Sequence, residues 1–318
     1  SNSSCTYDIT NITQNTGSNV IQNVVDLANN GDTVIIAPGT YVENVNIVDK
    51  SIHIASMYLT TGDSSYISST IIDGNNTGSA IWIHESTNQG QNSTQDVNVT
   101  GLKLINGSDG GSNNYGGGLS VKWCNSVIID RLDISSSSGT YGGGISLAYT
   151  SLAKISNSHI YNNLSTDWAG GINCAGHGQL VGRLEITNTL INDNTGGNSG
   201  GGIVTDSDTL IIANSTVANN TGGHETGGIH IRSGNNHSLL YNNIVSNNIN
   251  PISNNQISCN SNQNNEYLYN NYYNAIGGSP LIDFENVISQ VDPFVNSNNG
   301  NFNLNDSNLA IGAGADSV

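Results

Sequence analysis

A repeat in the middle of the chain restricts the fold more than any other feature. Successive Gly-Gly pairs lie 26, 27, 31 and 26 residues apart. Self-similarity at this period indicates stacked structural units, and the Val, Ile, Leu and Thr between the pairs favour strands over helices. Each pair is followed by an aliphatic residue, at Gly117-Gly118-Leu119, Gly143-Gly144-Ile145, Gly170-Gly171-Ile172, Gly201-Gly202-Ile203 and Gly227-Gly228-Ile229.

The residues after each Gly-Gly alternate in character. The first and third are mainly apolar and the second and fourth are mixed, which predicts one set pointing inward and the other on a solvated face. Parallel stacking places equivalent residues of successive coils about 4.8 Å apart. The predicted buried columns are Ile145, Ile172, Ile203 and Ile229, with Leu147, Cys174, Thr205 and Ile231 beside them.

A second marker, rich in Asn, follows each aliphatic stretch. It spans residues 157–163, 188–194, 214–220 and 242–248. A side-chain amide both donates and accepts hydrogen bonds, so a column of stacked amides satisfies itself at a turn. The last residue of each marker predicts such a ladder, formed by Asn163, Asn194, Asn220 and Asn248.

These repeats resemble the right-handed parallel β-helix of the pectin-lyase-like superfamily. Their Gly-Gly-aliphatic and Asn-rich style is similar to that of polymorphic outer-membrane adhesins and related bacterial surface β-helix proteins. The resemblance covers nearly the whole chain and implies an all-β fold, a right-handed parallel β-helix (solenoid) with a short N-terminal capping helix. It is specific for the fold and not for the function, since the superfamily includes lyases, hydrolases, adhesins and structural proteins.

We expect a single domain over residues 1–318, because a solenoid grows by adding coils. Residues 1–18 form a polar N-terminal tail, 19–30 a cap helix whose predicted N-cap residue is Asn19, 31–274 the coils, and 275–318 a C-terminal closing segment. The cap helix covers the open end of the core. Its predicted apolar stripe consists of Val20, Ile21, Val24, Leu27 and Ala28.

The net charge and the start of the chain limit the classes of partner and the cellular location that we expect. With 24 acidic and 7 basic side chains the formal charge is -17, which argues against nucleic acid and against insertion into or binding to an anionic membrane. The chain opens on Ser1 without an apolar leader, so we read it as a mature secreted or cell-surface protein.

The cysteines lack the close spacings of a metal site. Cys174 and Cys259 are predicted three coils apart, roughly 14 Å, too far for a disulfide.

Several residues are candidates for catalysis. Gly176-His177-Gly178 resembles a motif of polygalacturonases of this fold, but their Asn-Thr-Asp, Asp-Asp and Arg-Ile-Lys motifs are missing. Asp206 and Asp208 are the nearest local pair of carboxylates for glycoside hydrolysis. Lys122 and Arg232 are the cations that a polysaccharide lyase would use. The coil register places Lys122 two or three coils from Arg232, which lies beside Asp206 in an exposed ion pair expected to be worth about 0 to 1 kcal/mol.

An aromatic column is the candidate for ligand binding. It lies three positions before the second glycine of each pair and consists of Tyr115, Tyr141 and Trp168, followed by Ser199 and Glu225. Aromatic rings one coil apart either stack on each other or offer flat faces to sugars. His224 and Glu225 would add hydrogen bonds to such a ligand.

We therefore expect a non-enzymatic secreted or cell-surface structural protein, an adhesin or a subunit of an extracellular filament, that binds surface glycans or associates with itself. The alternative is a polysaccharide lyase or glycoside hydrolase. No resident cofactor or metal is predicted. Ca²⁺ would be bound only if the chain is a polysaccharide lyase, as in the alternative. Residues 1–18, or the segment after Pro280, would add a strand to a neighbouring subunit, unless both termini fold back on their own solenoid.

Overall fold

The computed structural model describes the chain from residue 6 to residue 305 with gaps. The described ranges are 6–9, 19–86, 93–109, 116–174, 181–232, 237–253, 255–259, 266–269, 271–273, 276–278, 282–284, 286–289 and 291–305. Tyr115, His177 and Cys5 lie outside them. Within the described residues the fold is all-β, with strands that stack in parallel into the three long faces of a solenoid.

Each coil contributes one strand to each face, and β10 (Leu119–Asp130) and β13 (Ile145–Ser156) run through both of the first two faces. The remaining strands of the first face, which follows each Gly-Gly, are β4 (Val45–Val48), β7 (Ile81–His84), β16 (Ile172–Cys174), β19 (Ile203–Thr205), β22 (Ile229–Ile231), β25 (Ile257–Cys259) and β28 (Ile276–Gly278). The remaining strands of the second face are β1 (Thr6–Ile9), β2 (Thr33–Ile36), β5 (His53–Ser56), β8 (Asp96–Thr100), β17 (Arg183–Thr187), β20 (Thr209–Ala213), β23 (His237–Tyr241), β26 (Glu266–Tyr269) and β29 (Ile282–Phe284).

The third face and the short elements complete the fold. The third face consists of β3 (Gly39–Val42), β6 (Thr70–Asp73), β9 (Lys103–Ile105), β11 (Asp133–Ser135), β14 (His159–Tyr161), β18 (Leu190–Asn192), β21 (Thr216–Ala218), β24 (Ile244–Ser246), β27 (Tyr272–Tyr273) and β30 (Val287–Ile288). The other elements are β12 (Ser138–Gly139), β15 (Leu164–Ser165), β31 (Phe294–Asn296), β32 (Asn301–Leu304), the helices α1 (Val20–Leu27), α2 (Tyr58–Thr61) and α3 (Ser65–Ser69), and a 3₁₀ turn at Ser297–Asn299.

The predicted core columns are confirmed. Ile145 pairs in register with Ile172, then with Ile203 and Ile229 in the following coils. All of these isoleucines are fully buried, as are the residues two positions later, Leu147, Cys174, Thr205 and Ile231. Cys174 and Cys259 lie three strand pairings apart, and no disulfide joins them, as predicted. Burial raises the pKa of Cys174 to about 12, so the thiol serves as an apolar core residue.

The predicted Asn ladder is also confirmed. Asn194 donates from Nδ2 to Oδ1 of Asn220, 3.0 Å away, and to the carbonyl oxygen of Ile160, 2.9 Å away. Its own Oδ1 accepts from the backbone N and Nδ2 of Asn163. A second amide ladder, which the sequence analysis missed, runs through Asn243, Asn271 and Asn286 at the other end of the third face.

The capping helix is present but differs from the prediction in detail. Asn19 makes no side-chain cap; instead the buried carboxylate of Glu43 accepts from the backbone N of Ile21 and Gln22, both at 3.0 Å. Leu27, placed in the apolar stripe, is 69% exposed, and Val25 is buried in its place. The helix is rotated relative to the predicted stripe because its contacts with the first coil, and not its own periodicity, set its orientation.

Described segments near both termini contact the solenoid of their own chain. Thr6–Ile9 pairs in parallel with β2 of its own chain. Coils continue past residue 274 as far as β30, so the predicted boundary is too early; these coils lack the Gly-Gly marker in its usual place. Beyond them, Ser297 lies against the third-face corner, where Nδ2 of Asn219 donates to its carbonyl oxygen at 3.0 Å. The short helices α2 and α3 lie between β5 and β6.

Candidate functional site

The outward residues of the first face are covered, contrary to the predicted solvated face. The second residue after each Gly-Gly is at most 2% exposed in every described coil of the repeat, and these residues are Ser120, Ser146, Asn173, Val204 and His230. Their column pairs in register as predicted. In these Gly-Gly coils the first-face strands are therefore buried on both sides, like the strands of an α/β sheet.

Glycine explains how this second layer forms. The chain before each Gly-Gly folds over the first face, so closely that a Cβ at Gly116 would lie 2.7 Å from Cβ of Ser146. A Cβ at Gly200 would lie 2.8 Å from Cγ2 of Val204. Such approaches of backbone to side chain require glycine. The Gly-rich runs that identified the repeat are thus packing residues of an outer layer, which the alternation of apolar residues did not reveal.

Tyr141 and Trp168 extend from this outer layer over the later coils. Their ring centroids are 6.1 Å apart and the rings meet edge to face. The guanidinium carbon of Arg232 lies 3.9 Å from the Trp168 ring centroid, and its Nη1 lies 3.0 Å from Oδ2 of Asp206. Trp168 also packs against Val204. We call Tyr141, Trp168, Asp206 and Arg232 the arginine stack.

The arginine stack corrects the prediction of an exposed Asp206–Arg232 pair. The side chains of Arg232 and Asp206 are 31% and 15% exposed, because the loop that carries Trp168 covers them. A cation held over an indole ring in such a position contributes about 1 to 2 kcal/mol. The ring itself is oriented by Asp167, whose Oδ2 accepts from Trp168 Nε1 at 2.9 Å and whose Oδ1 accepts from Asn198 Nδ2 at 2.6 Å.

His230 lies beneath the arginine stack and was not singled out from the sequence as a site residue. Its Nδ1 lies 2.8 Å from Oγ of Ser199, and its ring is 2% exposed. Burial, with a smaller contribution from the positive charge of Arg232, lowers the pKa of His230 to about 4. The imidazole is therefore neutral near pH 7 and acts as a packed hydrogen-bonding group.

The remaining candidates do not converge on one place. Lys122 lies three coils before Asp206 and four before Arg232, one coil farther from Arg232 than predicted. His224 is exposed and Glu225 half-buried; among the described residues, no hydrogen bond, ion pair or ring contact joins either of them to the arginine stack. Asp206 is engaged with Arg232, while Asp208 follows the fully buried Ser207. Tyr115 and His177 lie outside the described residues.

A second group of aromatic and charged residues, which the sequence analysis missed, lies on the same face nearer the N-terminus. Trp82 and His84 point outward from β7, and their rings stack 3.8 Å apart. In the next coil, Nζ of Lys122 lies 4.2 Å from the ring centroid of Trp123. The signal was present as Trp and His two residues apart in a strand, but this coil precedes the clear Gly-Gly repeats.

The described residues contain no group of three or more His, Cys, Asp or Glu side chains placed to hold a metal ion. Within the same residues, no helix has the length and hydrophobicity needed to cross a membrane.

Comparison with solved structures finds the crystal structure of pectate lyase Pel9A. The match has a TM-score of 0.56 and 12% sequence identity, and it covers 96% of this chain and 91% of that chain. At this identity the likeness shows the fold alone. No protein-family model and no curated protein sequence matches the chain. The chain therefore shares the parallel β-helix fold of that structure.

Proposed function

We propose that the chain is a non-enzymatic extracellular scaffold, secreted or held at a cell surface, that serves as an adhesin or as a subunit of a surface assembly. The observation that carries this proposal is the closed outer face of the repeat, where the column from Ser120 to His230 lies under the chain's own Gly-rich layer. An enzyme that acts on a polysaccharide must bring its catalytic groups into contact with the polymer. Here that space is filled by the protein.

The charged groups on this face support the same reading. Arg232 is engaged with Asp206 and with the ring of Trp168, so neither charge is poised as a general base or acid. His230, with its pKa lowered to about 4, is buried beneath them. These contacts stabilise a layer of the scaffold. The fold likeness to a pectate lyase keeps a lyase or a hydrolase as the alternative.

An activity screen distinguishes a non-enzymatic scaffold from a polysaccharide lyase or glycoside hydrolase. The purified chain would be incubated with polygalacturonate, alginate, xylan and a mixed-linkage glucan, with and without Ca²⁺. Unsaturated uronates and reducing ends would be measured against heat-denatured protein. We expect no product above that background.

Two variants make this screen specific to the face. Lys122→Ala and Arg232→Ala remove the two cations that a lyase reaction on the first face would use. Release of products by the parent chain at enzymatic rates would overturn the scaffold proposal, and a loss of that release in either variant would locate the reaction on this face.

A further inference from the structure

The second aromatic group has the composition of a binding site. It comprises Trp82, His84, Glu85, Lys122, Trp123 and Tyr149, which we call the Trp82–Trp123 cluster. Trp82 pairs across the strands with Ser120, and His84 with Lys122, so the cluster spans neighbouring coils about 4.8 Å apart. The Trp123 and Tyr149 rings lie nearly parallel, with centroids 6.0 Å apart. All four aromatic rings are half-buried and thus present part of their surface to solvent.

The backbone at Trp123 and Tyr149 is strained. Both residues have a left-handed conformation, with φ of 57° and 49°. Both lie at the corner that follows the first face, where Asp49 takes the same conformation with φ of 53°. At the corner that follows the second face, the left-handed conformation is taken mostly by Asn, at Asn157, Asn188, Asn214 and Asn242. A bulky side chain in this conformation costs about 1–2 kcal/mol, and such strain is typical of functional positions. Large rings in this conformation therefore carry a cost that Asn would avoid.

Three buried polar atoms of the cluster, on Glu85, Trp82 and Trp123, have no hydrogen-bond partner in the described structure. Glu85 is 5% exposed, and its Oε1 accepts from Ser93 Oγ and from the backbone N of Thr94 and Gln95. Its other oxygen, Oε2, is buried without a hydrogen-bond partner in the described structure, and so are Nε1 of Trp82 and Nε1 of Trp123. Ser93 Oγ also lies 3.0 Å from the carbonyl oxygen of Trp123, so Ser93 links the Glu85 carboxylate to the backbone of Trp123. Each such atom costs about 1–3 kcal/mol while it stays unpaired.

The chemistry of these atoms defines the ligand. An indole N–H only donates and an ionised carboxylate only accepts, so a group that satisfies both must donate and accept, as a hydroxyl does. The faces of sugar rings pack on aromatic rings. Lys122 and Glu85 balance each other in charge, and a chain at -17 repels acidic polymers. We propose that the Trp82–Trp123 cluster binds a neutral saccharide unit, with its hydroxyl groups on Glu85 Oε2 and the two indoles and its ring on Trp123 or Trp82.

In the proposed scaffold, this site would bind a glycan ligand. Only this biological role of the site rests on the proposed function. The site is tested by binding. Two of the three tryptophans of the chain belong to the cluster, so indole fluorescence reports its occupation. The probes are cellohexaose, mannohexaose, xylohexaose and galactohexaose as neutral chains, and hexagalacturonate as the acidic comparison. We expect a saturable fluorescence change with at least one neutral probe and none with hexagalacturonate.

The decisive variant is Trp123→Asn. Asn suits the left-handed conformation, so this variant should unfold at the same or a higher urea concentration than the parent while its affinity falls at least tenfold. Glu85→Gln keeps the Oε1 acceptor and replaces Oε2 by a donor, and it should weaken binding severalfold. Asn303→Ala, at an exposed residue outside the cluster, is the control and should bind like the parent.

Three results would overturn the site: no neutral probe changes the indole fluorescence, only the acidic probe binds, or Trp123→Asn binds as tightly as the parent. Cleavage of the hexasaccharides into shorter products would overturn the proposed function and leave the site standing. Hexasaccharides that stay intact and cause no fluorescence change would overturn the site and leave the proposed function standing.

Discussion

At the scale of the residue, asparagine has two separate tasks in this solenoid. In each Asn-rich marker the first residue takes the left-handed conformation at a corner, as Asn157 does with φ of 51°. The last residue is buried and joins the amide ladder, as Asn163 does at 2% exposure. The first task uses the tolerance of Asn for positive φ, and the second uses its paired donor and acceptor. This explains why the marker keeps Asn at both ends.

The ladder predicts a large effect for a single amide. In Asn194→Ala, the backbone N of Asn163 and the carbonyl oxygen of Ile160 lose their buried partners. At about 1–3 kcal/mol for each stranded group, we expect a loss of about 3 kcal/mol in the free energy of unfolding, measured in urea. The exposed Asn303 gives the control, since Asn303→Ala should change stability by less than about 0.5 kcal/mol. Equal effects of the two variants would contradict a structural role for the ladder.

His230 predicts a pH dependence of stability. Because burial lowers its folded-state pKa to about 4, the unfolded chain takes up a proton first as the pH falls below about 6.5. Its stabilising contribution is thus complete above about 6.5 and is lost towards pH 4. The half-buried His53, His84 and His159 also have pKa values lowered chiefly by partial burial, and they act in the same direction.

We expect His230→Asn to remove about 2 kcal/mol of the difference between the unfolding free energies at pH 7 and pH 4.5, measured by urea unfolding at both pH values. The exposed His224 supplies the control variant His224→Asn, which should retain the full pH dependence of the parent. A parent and a His230→Asn variant with the same pH dependence would show that the ring is not held neutral.

At the scale of the element, the capping helix α1 is fixed by charges from the first coil. Glu43 holds the amides at its N-terminus, and Nζ of Lys50 donates to the carbonyl oxygens of Val25, Asp26 and Ala28 at 2.8, 2.6 and 2.9 Å. Both charges also complement the helix dipole. A short helix without a strong cap of its own is thereby kept on the open end of the core.

Lys50→Met keeps the length of the side chain and removes its donors. Hydrogen bonds to a charged group are worth about 1.5–3 kcal/mol, so the amides of α1 should exchange with solvent at least tenfold faster, measured by hydrogen–deuterium exchange. Exchange in β19 and β22, several coils away, should not change. Lys154→Met, at a half-exposed lysine that pairs with Glu185 on the second face, is the matched control and should leave α1 unchanged.

At the scale of the whole molecule, the open end of the second face is closed by the chain itself. Thr6–Ile9 pairs with β2, which agrees with the alternative that the tail folds back on its own solenoid. Deleting residues 1–18 would uncover the edge of β2, and an uncovered edge invites pairing between molecules. We expect the full-length chain to be a monomer and the deletion variant to associate with rising concentration, measured by light scattering after size exclusion. A full-length oligomer that the deletion converts into monomers would favour strand exchange with a neighbour instead.

The sequence by itself determined the solenoid, its register and its ladder. Ile145, Ile172 and Ile203 were placed in one buried column, and Asn163 and Asn194 in one ladder, because a stacked repeat puts equivalent residues in contact and makes one period describe every coil. Tertiary structure alone decided the covered outer face, the arginine stack, the Glu43 cap and the Trp82–Trp123 cluster. These depend on where a loop or a neighbouring coil comes to lie, as when the chain around Gly200 packs against Val204. Period-2 patterning records only which side of a strand a residue takes, and the layer that covers the other side belongs to a distant part of the chain.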